Sequence, residues 1–311
     1  MTWSTADIPD LSGRRALVTG ATSGLGYETA LELLRHGAEV LVAARNPAKA
    51  ADSAAKLTKA AGRTPTIVEL DLADLTSVEK AADQVAKTYD KLDLLVNNAG
   101  VMATPYRQTA DGFELQFGTN HLGHFALTGR LLPLLLKAPS SRVVAVSSFM
   151  HKAVRGISET DLRQPQSSYS KWVAYSKSKL ANVLFMLELD RRARAAGSNL
   201  LSVGAHPGYA ATHLQAAGPE LAGRLRQARV WTGVTKLVAQ SAAAGAWPIL
   251  FAATDPDVRP GAYYGPAFFE YRGTPTVVLP TRMAQDPELA QWLWSWSVEA
   301  TGVDPTLNVP R

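Results

Sequence analysis

The chain reads as an α/β fold, one doubly wound parallel sheet with helices on both faces, on three observations. Short apolar runs alternate with helical periodicity from end to end. A Gly-rich turn joins the first run to the first helix. No linker-like or low-complexity stretch breaks the alternation, so all 311 residues are read as a single domain.

The first strand, 16–19, is apolar enough to be buried on both faces. It leads into Gly20-Ala21-Thr22-Ser23-Gly24-Leu25-Gly26. A helix follows over 25–36, with Ala30, Leu31 and Leu34 on one side and Gly37 as a stop signal. Strand, Gly turn and helix together place a pyrophosphate on a helix N-terminus, and glycine lets the backbone approach it closely. The spacing here, Gly-x-x-x-Gly-x-Gly, differs from the common Gly-x-Gly-x-x-Gly. Further strands are expected at 39–44, 66–70, 92–97, 142–147, 200–206 and 276–279, and helices at 47–61, 75–89, 113–137, 169–196 and 233–253.

Two stretches depart from the rhythm. Residues 209–232 are punctuated by Gly218, Pro219 and Gly223 and follow the carboxyl end of a strand, where ligands gather in open sheets. They are read as a substrate lid, with an ordinary surface excursion as the alternative. The tail, 256–311, is rich in aromatic residues, and Trp292 and Trp296 share a helical face with Leu289 and Leu293. Core or subunit packing is favoured there over an aromatic wall for a substrate.

Composition narrows the chemistry. With no cysteine, disulfides, thiolate catalysis and cysteine metal sites are excluded, and a cytoplasmic location is expected. The six histidines show no metal-ligand spacing, and no Gly-x-Ser-x-Gly elbow is present. No apolar run is long enough to span a membrane, and the N-terminus shows no signal region. The net charge of +5 is dispersed, and its densest cluster, Arg191-Arg192-Ala193-Arg194, ends a helix whose dipole it complements. Nucleic-acid binding is therefore not expected.

One pair carries the catalytic reading. Tyr175 and Lys179 lie four residues apart, on one face of a helix. An ammonium beside a phenol favours the phenolate and lowers a pKa that is otherwise near ~10, giving a usable general acid or base. The pattern alone also describes many solvated helix-surface pairs. On the cofactor side, the second strand ends in Arg45-Asn46, with no carboxylate where an NAD site commonly has one. Arg45 offers forked donors to a ribose phosphate, so the reading is NADP(H), with NAD(H) as the lesser alternative.

These motifs resemble those of the short-chain dehydrogenase/reductase family. They are Thr19 to Gly26, Asp71-Leu72, Asn97-Asn98-Ala99-Gly100, Asn120, Ser147-Ser148, Tyr175 with Lys179, and His206-Pro207-Gly208, in the family's order over residues 14 to about 250. Asn120 to Phe125 and Ser178 to Phe185 resemble most the branch of retinol dehydrogenases and protochlorophyllide reductases.

The resemblance implies a Rossmann-type sheet of order 3-2-1-4-5-6-7. It also implies an alcohol–carbonyl oxidoreductase. In it Ser148 bonds the substrate oxygen, Tyr175 moves the proton and Lys179 holds the nicotinamide ribose. Asn120 would hold a water that links Lys179 to solvent. It implies further that Gly20, Thr22, Ser23, Gly24, Leu25 and Gly26 hold the pyrophosphate, Asp71 and Leu72 the adenine, and Pro207, Gly208 and Thr212 the nicotinamide end. Asn98, Ala99 and Gly100 follow the fourth strand, where small residues let the chain pass close to a cofactor and Asn98 can tie neighbouring strands together, a role as much structural as functional. Arg45 and Asn46 complete the cofactor set. Asp71 has an alternative as a helix cap, and His206 is read as a packed strand residue. Ser148 and Tyr175 are 27 residues apart, longer than in many members but shared with that branch.

Two other readings compete. One is a cofactor-binding sensor or scaffold, which would not need Asn120, Ser148, Tyr175 and Lys179 together. The other is reduction of a carbon–carbon double bond, which in protochlorophyllide reductases depends on a cysteine this chain lacks. The expected substrate is a bulky, hydrophobic small molecule. The resemblance also implies a homo-oligomer through the helices at 113–137 and 169–196, unless the aromatic tail covers them.

Overall fold

Eight strands form one sheet in the order β3-β2-β1-β4-β5-β6-β7-β8. The computed structural model describes residues 3–162, 166–209 and 240–307. The strands β1 (Arg15–Thr19), β2 (Glu39–Ala44), β3 (Thr66–Glu69), β4 (Leu94–Asn97), β5 (Arg142–Val146), β6 (Leu201–Ala205) and β7 (Tyr263–Phe268) run parallel. β8 (Arg272–Val277) returns antiparallel to β7. The order reverses between β1 and β4, and the carboxyl ends of the strands there frame the crevice where such sheets bind ligands.

In chain order the helices are α1 (Gly24–Arg35), α2 (Pro47–Ala61), α3 (Leu75–Thr88), α4 (Leu115–Phe117), α5 (Gly123–Lys137), α6 (Glu159–Leu162), α7 (Lys171–Ala195), α8 (Ala242–Thr254) and α9 (Pro287–Thr301). Strand alternation divides the core between two faces. Ala16, Val18, Val40 and Val42 pack with α1 and α8, whereas Leu17, Leu41 and Val68 pack with α3, α5 and α7. Asp74 caps α3 through Thr76 N and Ser77 N, and Gly62 closes α2 in the left-handed region at φ 71°. The arginines at the end of α7 pair within their helix, Arg191 and Arg192 to Glu188 and Arg194 to Asp190.

Two expectations need correction, and a third is met. The seventh strand is Tyr263–Phe268, and the run expected at 276–279 overlaps the antiparallel β8 instead. Pro266 and Pro275 face each other across that pair, which disguises both strands in the sequence and confines the prolines to the sheet edge. The helix expected over 113–137 is interrupted: α4 passes into a π-helical turn, Gly118–Leu122, before α5 begins. The tail is integral to the core, since Tyr263 and Tyr264 are buried in the sheet. On α9, Trp294 stacks on Phe185 of α7 and meets Phe125 of α5 edge-on at 5.1 Å. Leu293 and Trp296 are buried with Leu289 and Trp292 packed beside them, the shared face expected of them. Among the described residues no helix is long and apolar enough to cross a membrane.

Candidate active site

The Gly-rich turn forms a bare helix N-terminus against β4. Gly20 has φ 69°, and a Cβ there would lie 2.9 Å from Ala99 Cα. A Cβ at Gly26 would lie 2.5 Å from Asn98 Nδ2 and 2.6 Å from Gly20 O. The two turns therefore interlock only with glycine at both positions. Gly24 opens α1 at φ 57°, and the exposed Ser23 before it makes no side-chain cap. The first N–H groups of α1 are left to a ligand, and an anion suits them. Thr22 and Leu25 are half-buried in this turn. A dinucleotide pyrophosphate fits this donor set.

At the outer end, Arg45 follows β2 with its side chain 69% exposed, and its Nη1 lies 3.8 Å from Asp71 Oδ2. Asp71 Oδ1 accepts from Ala73 N at 3.0 Å, while the capping of α3 falls to Asp74. Asn46 caps α2, its Oδ1 accepting from Lys49 N at 3.0 Å. Leu72 buries its side chain, and its backbone lies against Gly123, where any Cβ would collide with it.

Behind the cofactor turn, one hydroxyl gathers three segments. Thr19 Oγ1 accepts from Asn98 N and Ala99 N, both at 2.9 Å. It also lies 2.9 Å from His124 Nε2, and His124 Nδ1 lies 3.0 Å from Asn120 O. A carbonyl only accepts, so the network assigns the proton to Nδ1 and leaves Nε2 to accept from Thr19. Burial holds His124 neutral, pushing its pKa down to about 4. Asn98 Nδ2 donates to Thr19 O at 2.8 Å, so Asn98 ties β4 to β1 as expected of it.

Asn120 sits within the π-helical turn and is fully buried. Its Oδ1 accepts from Val101 N at 2.8 Å, and its Nδ2 donates to Val101 O and to Ser178 Oγ, both at 2.9 Å. Both side-chain N–H groups are thus used and the amide is fixed in orientation. π-Turns recur at functional positions because the extra residue frees backbone groups. A Cβ at Gly100 would lie 3.0 Å from Asn120 Oδ1 and 3.6 Å from Lys179 Nζ, which places all three together.

Ser148, Tyr175 and Lys179 converge at the end of β5. The half-buried Ser148 caps a 3-10 turn, Phe149–Ala153, and its Oγ accepts from Met150 N at 3.2 Å. Ser147 points the other way and donates to Lys179 O at 2.7 Å, as strand alternation requires. Tyr175 is 3% exposed, and burial pushes its pKa up to about 12, with the neighbouring Ser148 side chain acting in the opposite direction. The expectation that Lys179 governs that pKa is not met. Lys179 Nζ lies 5.8 Å from the Tyr175 ring centre and donates to Val146 O at 3.1 Å, and burial pulls its own pKa down to about 8. Desolvation is the larger effect on both groups.

Pro207 and Gly208 turn the chain out of β6, and Gly208, at φ 64°, lets Tyr271 O pass where a Cβ would collide. Thr212, all of the lid expected over 209–232 except residue 209, and the part of the expected helix at 233–239 lie outside the described residues. His206 is fully buried, as expected of a packed residue. Sequence reasoning missed a second set of residues around it: His151, Lys152, Tyr263 and Glu270. Nothing local marks them, because each is brought in from a distant strand end. Among the described residues no cluster of acids and histidines suits a metal.

The family model described as short chain dehydrogenase matches residues 14–220. Retinol dehydrogenase 14 of Mus musculus is 39% identical over 306 residues, covering 94% of this chain and 87% of the relative. Retinol dehydrogenase 13 of Homo sapiens is 42% identical over 215 residues, 68% of this chain and 62% of the relative. The crystal structure of an uncharacterised protein from Mycobacterium paratuberculosis superposes with a TM-score of 0.81 at 41% identity, covering 99% of this chain and 100% of that one. The match runs through both the Gly-rich turn on β1 and the tyrosine helix α7, so the chain belongs to the short-chain dehydrogenase/reductase family of oxidoreductases.

Proposed function

We propose that the chain is an NADP(H)-dependent oxidoreductase that interconverts a carbonyl and an alcohol with Tyr175 as proton donor and acceptor. The observation that carries this reading is a buried phenol beside Ser148, one helical turn from a buried lysine. At neutral pH that phenol is protonated, the form that donates during carbonyl reduction. A bound nicotinamide would supply or accept the hydride.

The chain's own residues divide the remaining work. Ser148 Oγ bonds the substrate oxygen and orients it toward the Tyr175 hydroxyl. Tyr175 gives its proton to that oxygen as charge develops. Lys179 places an ammonium near the phenol, lowering the cost of the phenolate left behind. Asn120, fixed by Val101 and Ser178, holds the chain behind Lys179. The α1 N-terminus takes the pyrophosphate, and Arg45 takes a ribose phosphate.

The substrate we infer is hydrophobic. Phe149, Phe268 and Phe269 are exposed large apolar residues, and an open cleft of about 730 Å³ beside the last two is lined further by Val278 and Leu279. The similarity to retinol dehydrogenases supports the same class of compound. The test is NADPH and NADH turnover against a panel of aldehydes, ketones and enones. Carbonyl-dependent oxidation of NADPH is the expected result. Cofactor binding without turnover of any carbonyl would favour the sensor reading, and turnover of enones alone would favour double-bond reduction.

A further inference from the structure

The tip of the β7–β8 hairpin has an unusual backbone. Tyr271 N donates to Phe268 O at 2.9 Å, and both central residues of that turn, Phe269 and Glu270, lie in the left-handed region at φ 49° and 57°. Such positions favour glycine or asparagine, and a bulky residue is strained there unless its surroundings hold it. Phe269 is 82% exposed and is held by little beyond Phe268. Glu270 is held firmly. Its Oε1 accepts from Lys152 Nζ at 2.5 Å, and its Oε2 lies 3.3 Å from His206 Nε2. Gly208 N donates to His206 Nδ1 at 3.2 Å, so neutral His206 carries its proton on Nε2, which lies beside the carboxylate without hydrogen-bond alignment to it.

These two partners belong to two sides of the active site. Lys152 lies in the 3-10 turn that Ser148 caps, and in the same turn His151 Nδ1 lies 2.7 Å from Ser148 O. His206 directly precedes Pro207 and Gly208, where the chain leaves β6. The hairpin tip holds that exit a second time, since Tyr209 N donates to Tyr271 O at 3.0 Å and the two tyrosine rings stack at 5.2 Å. Gly265 leaves room for the His206 ring, which any Cβ there would strike.

We propose that Glu270 is a positioning residue for the reaction, a strained hairpin-tip carboxylate that fixes the Ser148 turn through Lys152 and the exit of β6 through His206. Its part is to set where Ser148 stands relative to Tyr175. A carboxylate with two cationic or N–H partners is held ionised, its pKa drawn down to about 2 chiefly by His206 and Lys152. The carboxylate therefore stays ionised at neutral pH. A glutamate in a left-handed turn position is explained by this use and by nothing local.

This inference rests on the carbonyl reductase reading, and the experiment separates the two. Wild-type turnover of a carbonyl with NADPH tests the reading; the variants, compared with that rate, test Glu270. Glu270→Asn suits the left-handed backbone but cannot reach both partners. It is expected to keep or raise Tm, to leave NADPH affinity within twofold, and to lower kcat about tenfold or more. Lys152→Met is expected to lower kcat similarly, with the double variant no slower than the worse single one, the signature of one shared contact. Nitrogen-15 spectra of the imidazoles supply a readout independent of turnover: His206 should keep the Nε2–H tautomer set by Gly208 N in every variant, while its Nε2 resonance shifts in Glu270→Asn as the neighbouring carboxylate is lost. An unchanged kcat in both single variants, effects that multiply in the double variant, or an unshifted His206 Nε2 resonance would each overturn the proposal.

Discussion

Lys179 Nζ lies 5.8 Å from the centre of the Tyr175 ring, and both side chains are almost wholly buried. At that separation, in low dielectric, a charge on either is felt by the other, yet desolvation sets the resting state of each. Tyr175 rests protonated and Lys179 rests near its titration point, with a pKa of about 8. In the proposed reaction the pair serves as an acid for the oxygen on which charge develops.

Tyr175→Phe removes only the hydroxyl and keeps the buried ring. General acid catalysis contributes about 10²–10⁴-fold, so turnover should fall by at least ~100-fold while NADPH affinity stays nearly unchanged. Steady-state rates paired with a fluorescence titration of NADPH check this. A variant that retains the wild-type rate would remove Tyr175 from the mechanism.

Arg45→Ala tests the choice of cofactor. Its guanidinium is exposed and its nearest acidic partner, Asp71, is 3.8 Å away, so little holds it from a ribose phosphate. A charge-assisted contact contributes roughly 1.5–3 kcal/mol, about ten- to a hundredfold in affinity. NADPH binding should weaken by that factor and NADH binding should hardly change. Equal weakening of both, measured by titration, would place Arg45 elsewhere.

What the sequence showed and hid follows from these same contacts. β1, β2, β4, β5 and β6 are legible because a strand buried on both faces must be an apolar run, and such runs stand out between helices. β7 is hidden: Tyr263-Tyr264-Gly265-Pro266 follows Pro260-Gly261, and glycines and prolines at that density read as turn. Tyr175 and Lys179 are legible because one helix carries both. The π-turn at Asn120 leaves no trace, since the apolar pattern runs through it from α4 to α5. Glu270 and Lys152 meet across 118 residues of chain, and no local pattern reports such a meeting.

Lys179→Met should make the protein more stable as it loses activity. The Lys179 pKa is depressed from 10.5 to about 8 by burial, so at pH 7 keeping the ammonium buried costs on the order of 3 kcal/mol. Between pH 8 and 10.5 the unfolded chain binds more protons at this position than the folded one, so wild-type stability rises with pH there. The variant loses the bond to Val146 O, but Asn182 Nδ2 still donates to that carbonyl at 3.3 Å. A net gain of about 1–2 kcal/mol, a few degrees in Tm, is expected at pH 7 and should fade by pH 10. Thermal melts of both proteins at pH 7, 8.5 and 10 decide it; a variant less stable at pH 7, or an advantage that grows with pH, contradicts the account.

Assembly turns on what α9 covers. The resemblance implied a homo-oligomer through the faces of α5 and α7. The structure sets α9 against both: Trp294 stacks on Phe185 and meets Phe125, Arg192 lies 4.4 Å over the Trp294 ring, and Leu293 and Trp296 bury themselves beside α7. Leu180 and Leu184, which would otherwise supply a contact, are fully buried within the chain. The apolar residues of α7 left outside are Trp172 and Val173, at its first turn, too small a patch for a stable interface of about 1,200–2,000 Å². Sedimentation at micromolar concentration should therefore show one species of 33.3 kDa, with or without NADPH. Trp294→Ala, which removes the ring between the two helices, should cost about 3–5 kcal/mol of stability without changing the mass of the folded species. A wild-type dimer or tetramer would mean that association uses a face other than the one α9 occupies.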